Sequence, residues 1–340
     1  MPKVTLKDLA KELGVSTTLV SRVLNAPLRE DGTPDCDISR ETAERVLEAA
    51  KRYNYNPSRI AVGLRSGKRY LLGVITPDIS NFAFSEAGCY IEELAHNDGY
   101  SVMFGSSAES AERLERLLDV FVGHGVDGII VTPCAHSEDV FQKVLQRKVP
   151  VVLINRDIPS LEGVGRVFVN NVSGMQRIVK HLVSNGYRKI EMISERMDVS
   201  SLHDRETSYR AAMKEAGLTP YIYYTDSNLL EGQIRNAVAE AVRKGTEALI
   251  TPRIMLSLYA LSAIQDLSLD IPGDMALFCH DESPAWTVRK PTVSYASQCA
   301  DQVGTEAYKL LRSMMDGGTP EKILIEPKLC FGDSTAPRRK

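Results

Sequence analysis

Short polar side chains and one arginine share one face of a predicted helix near the N-terminus. They are Thr17, Thr18, Ser21 and Arg22. Hydroxyl groups near a helix start can approach the edges of DNA bases, and the fork of an arginine matches the two acceptors of guanine. The chemistry predicted for this face is hydrogen bonding in the major groove. An ordinary helical hairpin with a solvated face is the alternative.

Two short predicted helices position this face. Apolar residues recur at three- and four-residue steps through TLKDLAKELGVSTTLVSRVLN, stop at Gly14 and then resume, which indicates a helix on each side of that glycine. Thr5 is placed to cap the first helix and Ser16 the second. A third helix, capped by Ser39, follows. The sequence therefore predicts a helix-turn-helix domain over residues 1–57.

The next segment, residues 58–69, is predicted to be a hinge. It is too short to hold a helix by itself in water, but it could fold when docked on DNA. Ala61 and Leu64 share an apolar face of the kind that wedges between base steps in the minor groove, and Arg59 is placed to contact phosphate. A flexible basic linker is the alternative.

Basic residues are concentrated in this N-terminal part. Residues 1–69 carry 13 Lys and Arg against 9 Asp and Glu, whereas residues 70–340 carry 28 against 35. A positively charged N-terminal part on an otherwise negatively charged chain would be attracted to the phosphates of DNA by one end only. Its DNA binding would weaken as the salt concentration rises. A solvated basic face would give the same excess of charge.

Length and composition restrict the class of protein. A chain of 340 residues with 43% apolar and 25% charged residues is typical of a globular protein with two or three domains. No run reaches the length needed to span a bilayer, nothing at the N-terminus resembles a signal peptide, and the six cysteines form no CxxC pair. We therefore expect a cytoplasmic protein.

From residue 71 onward, short apolar and often β-branched runs alternate with helical patterns. Repeated strand and helix units imply parallel sheets covered by helices on both faces, and residues 70–340 suffice for two doubly wound α/β lobes. We expect lobe 1 to cover about 70–164 plus 297–325, and lobe 2 about 165–296 plus 326–340.

Polar and aromatic side chains follow several predicted strands, where ligands of such folds bind. They include Asn81, Phe84, Asn155, Arg156, Arg205, Asp281 and Trp286. Such a set could bind a polyol or sugar through forked hydrogen bonds and ring stacking. No nucleophile elbow, phosphate loop, zinc protease motif or dinucleotide motif is present, so we predict no enzyme, no cofactor and no metal site.

The stretches TLKDLAKELGVSTTLVSRVLN, ISRETAERVLEAAKRYNYNPSRIAVGLRSGK and LLGVITPDISN resemble the lac repressor/galactose repressor family of transcriptional regulators. The resemblance continues through VDGIIVTP, DIPGDMAL and the terminal STAP. It implies a homodimeric repressor, a head that reads a near-palindromic operator, a hinge helix that orders on DNA, and a core similar to a periplasmic sugar-binding protein that holds an allosteric effector.

The resemblance also implies roles for individual residues. Thr17, Thr18 and Arg22 match base-reading positions; Thr5, Ser16, Ser21 and Asn25 match phosphate-contacting positions; Leu64, with Ala61 beside it, matches the leucine that enters the minor groove. Phe84, Asn155, Arg205, Asp281 and Gln298 match positions that line the effector pocket.

Arg253 departs from the family pattern, which has an Asn-Asp pair at this strand end. An arginine in the pocket would favour an anionic effector such as a sugar phosphate. Alternatively, Arg253 pairs internally with Asp281 and the pocket is blocked.

Two other classes remain open. A transport-type binding protein would share the core but would have no use for the head. A regulator controlled by a protein corepressor on the core surface would need no small molecule.

Overall fold

The computed structural model describes residues 4–26, 29, 33–55, 68–226 and 230–338. The predictions for Arg59, Ala61 and Leu64, and most of the predicted hinge 58–69, lie outside these residues. The chain divides into two compact units, Met1–Tyr70 and Leu71–Lys340. Below they are called the head and the core.

Three helices form the described part of the head: α1 (Leu6–Leu13), α2 (Thr17–Asn25) and α3 (Arg40–Arg52). Their apolar faces meet around Leu9, Val20 and Val46, which are almost fully buried. Gly14 ends α1 in the left-handed region at φ +67°, where glycine avoids the steric cost of a side chain. The predicted helix-turn-helix with a third supporting helix is confirmed.

Lobe 1 of the core is a parallel sheet in the order β11-β5-β4-β3-β1-β2. Its strands are β1 (Leu71–Thr76), β2 (Ser101–Ser106), β3 (Gly128–Val131), β4 (Val151–Ile154), β5 (Gly165–Val169) and β11 (Lys322–Ile325). Its helices are α4 (Phe82–Asn97), α5 (Ala111–His124), α6 (Glu138–Gln146) and α12 (Ala300–Met315). Strands β3 and β4 are buried along their whole length, as expected for a sheet covered on both faces.

Lobe 2 repeats this plan in the order β12-β10-β9-β8-β6-β7, with only the β10–β12 pair antiparallel. Its strands are β6 (Ile190–Glu195), β7 (Ile222–Thr225), β8 (Ala248–Thr251), β9 (Ala276–His280), β10 (Ser294–Ala296) and β12 (Leu329–Cys330). Its helices are α7 (Asn171–Ser184), α8 (Ser200–Glu215), α9 (Leu230–Lys244), α10 (Ile254–Asp266) and the short α11 (Ala285–Val288), with a 3-10 turn at Asp333–Thr335.

The predicted class, a helical head and two doubly wound lobes, is confirmed, but one lobe boundary is wrong. Strand β5 pairs with β4 and β11 and so belongs to lobe 1, whereas the sequence placed residues 165–169 in lobe 2. The segment around Gly163, where lobe 1 was predicted to end, is a turn within lobe 1 and not the crossing between lobes. The chain enters lobe 2 after Val169, returns between Ala296 and Ala300, and crosses again after Ile325.

No helix within the described residues is both long enough and apolar enough to cross a membrane.

Candidate functional site

The exposed face of α2 carries the predicted reading residues. Thr17, Thr18 and Arg22 are exposed, while Val20 and Val23 on the opposite side are buried. The Ser16 hydroxyl caps the helix by accepting a hydrogen bond from the Leu19 N–H at 3.1 Å. Because an accepting hydroxyl keeps its own proton, Ser16 can still donate to a phosphate at a helix start whose dipole favours anions.

Thr5 is held differently. Its hydroxyl and its backbone N–H both donate to Asp8 Oδ2, at 2.7 and 2.8 Å, and its Oγ1 accepts from the Asp8 N–H. These hydrogen bonds lower the pKa of Asp8. Both donors of Thr5 are therefore committed to a capping box, and a phosphate contact by Thr5 would have to displace a carboxylate.

The end of α2 holds the two remaining predicted phosphate contacts. Asn25 Nδ2 donates to the Ser21 carbonyl at 2.7 Å and to Ser21 Oγ at 3.2 Å. The Ser21 hydroxyl accepts here and retains its proton, so it is the better donor of the two. Arg22 makes no ion pair with any described residue, which leaves its guanidinium available to a ligand.

The core has a cavity between its lobes with about 480 Å³ of empty space. It is lined by Asn81, Ala83, Phe84, Asn155, Arg156, Val199, Ser201, Leu202, Arg205, Arg253, Asp281 and Gln298. All six residues predicted to bind an effector are therefore in one place, although they come from both lobes. Part of this space is open to solvent, and it lies at the carboxyl ends of strands, where ligands of such folds bind.

Strand ends position two of these side chains through unusual backbone. Asn155 follows β4 with φ +62°, and Asp281 follows β9 with φ +68°. Left-handed non-glycine residues are uncommon and are concentrated at ligand sites. Asp281 Oδ2 accepts from the Ile254 N–H at 3.1 Å, and buried Trp286 donates its Nε1–H to the Asp281 carbonyl at 3.0 Å. Trp286 thus fixes Asp281 and does not line the cavity as an aromatic stacking surface.

Arg205 lies almost fully buried on α8. Its Nε donates to Asn171 Oδ1 at 2.8 Å, and its Nη1 donates to the Pro252 carbonyl. Burial lowers the pKa of Arg205, and the charges of Arg156 and Arg253 add to this effect against the opposing charge of Asp281. Its remaining nitrogen, Nη2, makes no hydrogen bond with a described residue, so it can donate to a ligand.

Arg253 does not pair with Asp281, so that part of the sequence-based alternative is wrong. Its Nη1 donates to Glu195, and its Nη2 lies 3.5 Å from Glu109 Oε1. The Arg253 side chain remains 26% exposed and lines the cavity. The cavity is therefore narrowed by a paired arginine but is not closed.

Arg156 forms an ion pair with Glu109, the carboxylate that also lies near Arg253. Its Nη1 and Nη2 donate to Glu109 Oε2 and Oε1 at 2.7 and 2.8 Å, and Nη1 also donates to the Pro133 carbonyl. Burial raises the pKa of Glu109, but hydrogen bonding to Arg156 and the charges of Arg156 and Arg253 outweigh burial, so its pKa is lowered. Glu109 is ionised at neutral pH.

Several groups in the cavity are open to a ligand. The side-chain amides of Asn155 and Gln298 make no hydrogen bond with any described residue, and Phe84 and Leu202 add apolar surface. Amides both donate and accept, as hydroxyl groups do. The arrangement can therefore bind a hydroxyl-rich molecule with an apolar ring face. Among described residues, no three His, Cys, Asp or Glu side chains could share a metal ion.

The sequence did not reveal Glu109 and Glu195 as part of this site. Glu109 lies in the loop between β2 and α5, and Glu195 is the last residue of β6. Glu195 could have been found, because a carboxylate at the end of an apolar strand is an expensive residue to bury without a partner. Glu109 carries no such signal.

Comparisons with known proteins agree with this organisation. Residues 5–58 match the bacterial regulatory proteins of the lacI family, and residues 179–335 match the periplasmic binding protein-like domain. Catabolite control protein A of Priestia megaterium is 28% identical and aligns over 95% of this chain and 96% of its own length. The transcriptional repressor PurR of Histophilus somni strain 2336 is 27% identical and aligns over 97% of this chain and 98% of its own length.

Solved structures share the fold. The lac repressor dimer bound to operator and the anti-inducer ONPF is 21% identical, with a TM-score of 0.82 over 98% of this chain and 99% of that one. A LacI transcriptional regulator of Alkaliphilus metalliredigens QYMF complexed with D-xylulofuranose is 20% identical, with a TM-score of 0.71 over 78% of this chain and 98% of that one.

A helix-turn-helix head joined to a two-lobed, periplasmic binding protein-like core defines a DNA-binding transcriptional regulator. The chain belongs to the lacI family of bacterial regulatory proteins. It is a regulator and not an enzyme, and the alternative of a transport-type binding protein is wrong because the head is part of the family match.

Proposed function

We propose that the protein is a repressor whose operator affinity is controlled by a small carbohydrate bound between the lobes of the core. The observation that carries this proposal is the convergence of Phe84, Asn155, Arg205, Asp281 and Gln298 on one cavity. The complex of the Alkaliphilus regulator with D-xylulofuranose supports a carbohydrate as the class of ligand.

Within the cavity, four polar side chains are assigned to the hydroxyls of the carbohydrate. Asp281 Oδ1 accepts, Arg205 Nη2 donates, and the amides of Asn155 and Gln298 do either. The Phe84 ring packs against the apolar face of the sugar. These roles are proposals that rest on the open hydrogen-bonding groups described above.

The DNA-binding form is proposed to be a homodimer on a near-palindromic operator. One α2 helix offers few base-reading side chains, so specificity requires two heads at a fixed spacing. The lac repressor dimer bound to operator, which shares the fold, supports a dimeric assembly. As a chromosomal regulator, the protein is assigned to the cytoplasm.

The coupling between cavity and operator is proposed to pass through residues 58–69, which join the two units in sequence. A ligand that favours one arrangement of the lobes changes the spacing of the two hinge segments in the dimer, and Leu64, Ala61 and Arg59 then meet or leave the DNA. Typical couplings of about 1–3 kcal/mol change affinity roughly 5- to 150-fold.

The experiment that tests ligand binding is thermal unfolding of the full chain against a panel of pentoses, hexoses and polyols. A true ligand stabilises by mass action, by about 2.7 kcal/mol at a hundred times its Kd. The stabilisation should disappear in Gln298→Ala and persist in the surface control Gln265→Ala. Stabilisation that survives both substitutions would refute the assignment of the cavity.

A protein corepressor is the second candidate partner. The observation that favours it is the paired side chain of Arg253, which takes up part of the cavity. Failure of every carbohydrate to stabilise the chain would favour this candidate.

A further inference from the structure

Glu109 lies between two arginines that line the cavity. It forms a two-point hydrogen-bonded pair with Arg156 in lobe 1, at 2.7 and 2.8 Å, and its Oε1 lies 3.5 Å from Arg253 Nη2 in lobe 2. Glu109 does not itself line the cavity. It acts on a ligand only through the two guanidinium groups in front of it.

The charges around the cavity balance. The charged residues that line the cavity are three arginines and one aspartate: Arg156, Arg205, Arg253 and Asp281. By themselves, these four side chains would give the site a net positive charge. Glu109 and Glu195, the ion-pair partners of Arg156 and Arg253, remove this excess, so the local count is three guanidinium groups and three carboxylates. Donors already held by carboxylates are poor partners for an added anion, which would have to displace them.

The backbone around Glu109 is built to hold this arrangement. Ala108 and Glu109 are both left-handed, at φ +48° and +58°. The Ala108 N–H donates to the Pro77 carbonyl at 2.9 Å, and the Ser107 N–H donates to the Thr76 carbonyl at 2.9 Å. Two consecutive strained residues persist only where surrounding contacts fix them, and here they direct a carboxylate at Arg156.

We infer that Glu109 is a specificity-determining residue that makes the effector site select neutral carbohydrates and reject phosphorylated or acidic ones. This inference rests on the proposed carbohydrate function and opposes the expectation of an anionic effector that Arg253 suggested from sequence. It assigns Arg156 and Arg253 to an internal ion-pair network, with Glu109 as the positioning residue, and leaves Arg205 Nη2 to the hydroxyls of the sugar.

The test is titration of the full chain with inorganic phosphate, followed by thermal unfolding and calorimetry, with chloride at equal ionic strength as the reference. The wild-type chain should gain no more stability from phosphate than from chloride. Glu109→Gln keeps the shape of the side chain, frees the guanidinium of Arg156 from its carboxylate and leaves Arg253 with Glu195 alone, so the affinity for phosphate should rise about tenfold or more.

Three variants separate a charge effect from a structural one. Glu109→Asp, which keeps the negative charge, should restore rejection of phosphate. Glu109→Gln combined with Arg253→Gln should lose the gain. Glu115→Gln, which removes a surface carboxylate paired with Lys143, should behave as wild type.

Two results would overturn the inference. One is phosphate binding by the wild-type chain that Arg253→Gln abolishes, a result that needs no Glu109 variant to fold. The other is a folded Glu109→Gln chain without any gain for phosphate. Neither readout involves DNA or a sugar, so failure here is distinguishable from failure of the proposed carbohydrate-controlled repression.

Discussion

Single residues decide what the head can read and what the core can bind. On α2, the hydroxyl of Ser16 and the guanidinium of Arg22 are free to meet DNA, whereas the donors of Thr5 are tied to Asp8. In the core, Arg253 is held by Glu195 and Glu109. In both places, the hydrogen-bond and ion-pair partners of a side chain decide whether it is available to bind DNA or a ligand.

Replacement of Arg22 by alanine should weaken binding to the selected operator by about 1–3 kcal/mol, the usual value of a good base contact. Binding to random DNA at the same salt should fall much less. Arg40→Ala, which removes one positive charge from α3, is the matched control, and fluorescence anisotropy is the measurement. Equal losses on operator and random DNA would show that Arg22 contacts only phosphate.

The lowered pKa of Glu109 predicts how the core responds to acid. A carboxyl whose pKa is lower in the folded state than in the unfolded one stabilises the fold above its ordinary value of 4.5, and this stabilisation is lost as the pH falls through the folded value. The free energy of unfolding of the wild-type core should therefore fall as the pH drops below about 4.5.

Glu109→Gln should lower stability at pH 7 and show a shallower decline in acid, as measured by urea unfolding between pH 7 and pH 3. Glu115→Gln is the control for loss of a half-exposed, ion-paired carboxylate. Parallel declines in wild type and Glu109→Gln would contradict the stabilising role given to the ionised Glu109.

Site residues could be predicted from the sequence only where the fold itself determines their location. Strand ends of doubly wound lobes converge, so Asn155, Arg205 and Asp281 could be placed together from sequence. Glu109, one of the two partners of Arg253, could not, because it comes from a loop of the other lobe, and a loop residue carries no periodicity that reveals its direction.

At the scale of elements, close packing of helices holds lobe 1 together. Helix α12 crosses α4 at Gly304, where an added Cβ would lie 2.5 Å from the Ala87 carbonyl oxygen. Backbone cannot move aside as a flexible side chain can. A small residue is therefore required at this crossing.

Gly304→Ala should destabilise the core by about 1–3 kcal/mol, as overpacking usually does. The matched control is Gly232→Ala on α9, where an added Cβ meets nothing within 4 Å and should stabilise by up to about 1 kcal/mol. Denaturant unfolding of both variants is the measurement. A neutral Gly304→Ala would mean that α4 and α12 separate easily.

Hydrophobic pattern predicted most of the core elements because buried parallel strands are continuous apolar runs, such as GIIV in β3 and VVLI in β4. Strand β5 was assigned to the wrong lobe although it pairs with β4, the strand before it; its other partner, β11, joins it only from residue 322 onward. Local pattern identifies a strand but does not state which sheet it enters.

At the scale of the whole molecule, regulation requires that two separate binding events be coupled. The head is proposed to supply a few base contacts, and the core a cavity that responds to a small molecule. In this proposal, neither unit alone makes a regulated repressor. Control exists only if the cavity binds one arrangement of the lobes better than the other, because a ligand with equal affinity for both shifts nothing.

The most direct measurement is operator affinity with and without saturating carbohydrate. The operator is the DNA that the full chain selects from a random pool, and the carbohydrate is the one that stabilises the chain most in thermal unfolding. We predict a change in Kd of roughly 5- to 150-fold at fixed salt, which Gln298→Ala abolishes. An operator affinity that stays constant while the carbohydrate saturates the cavity would contradict the account.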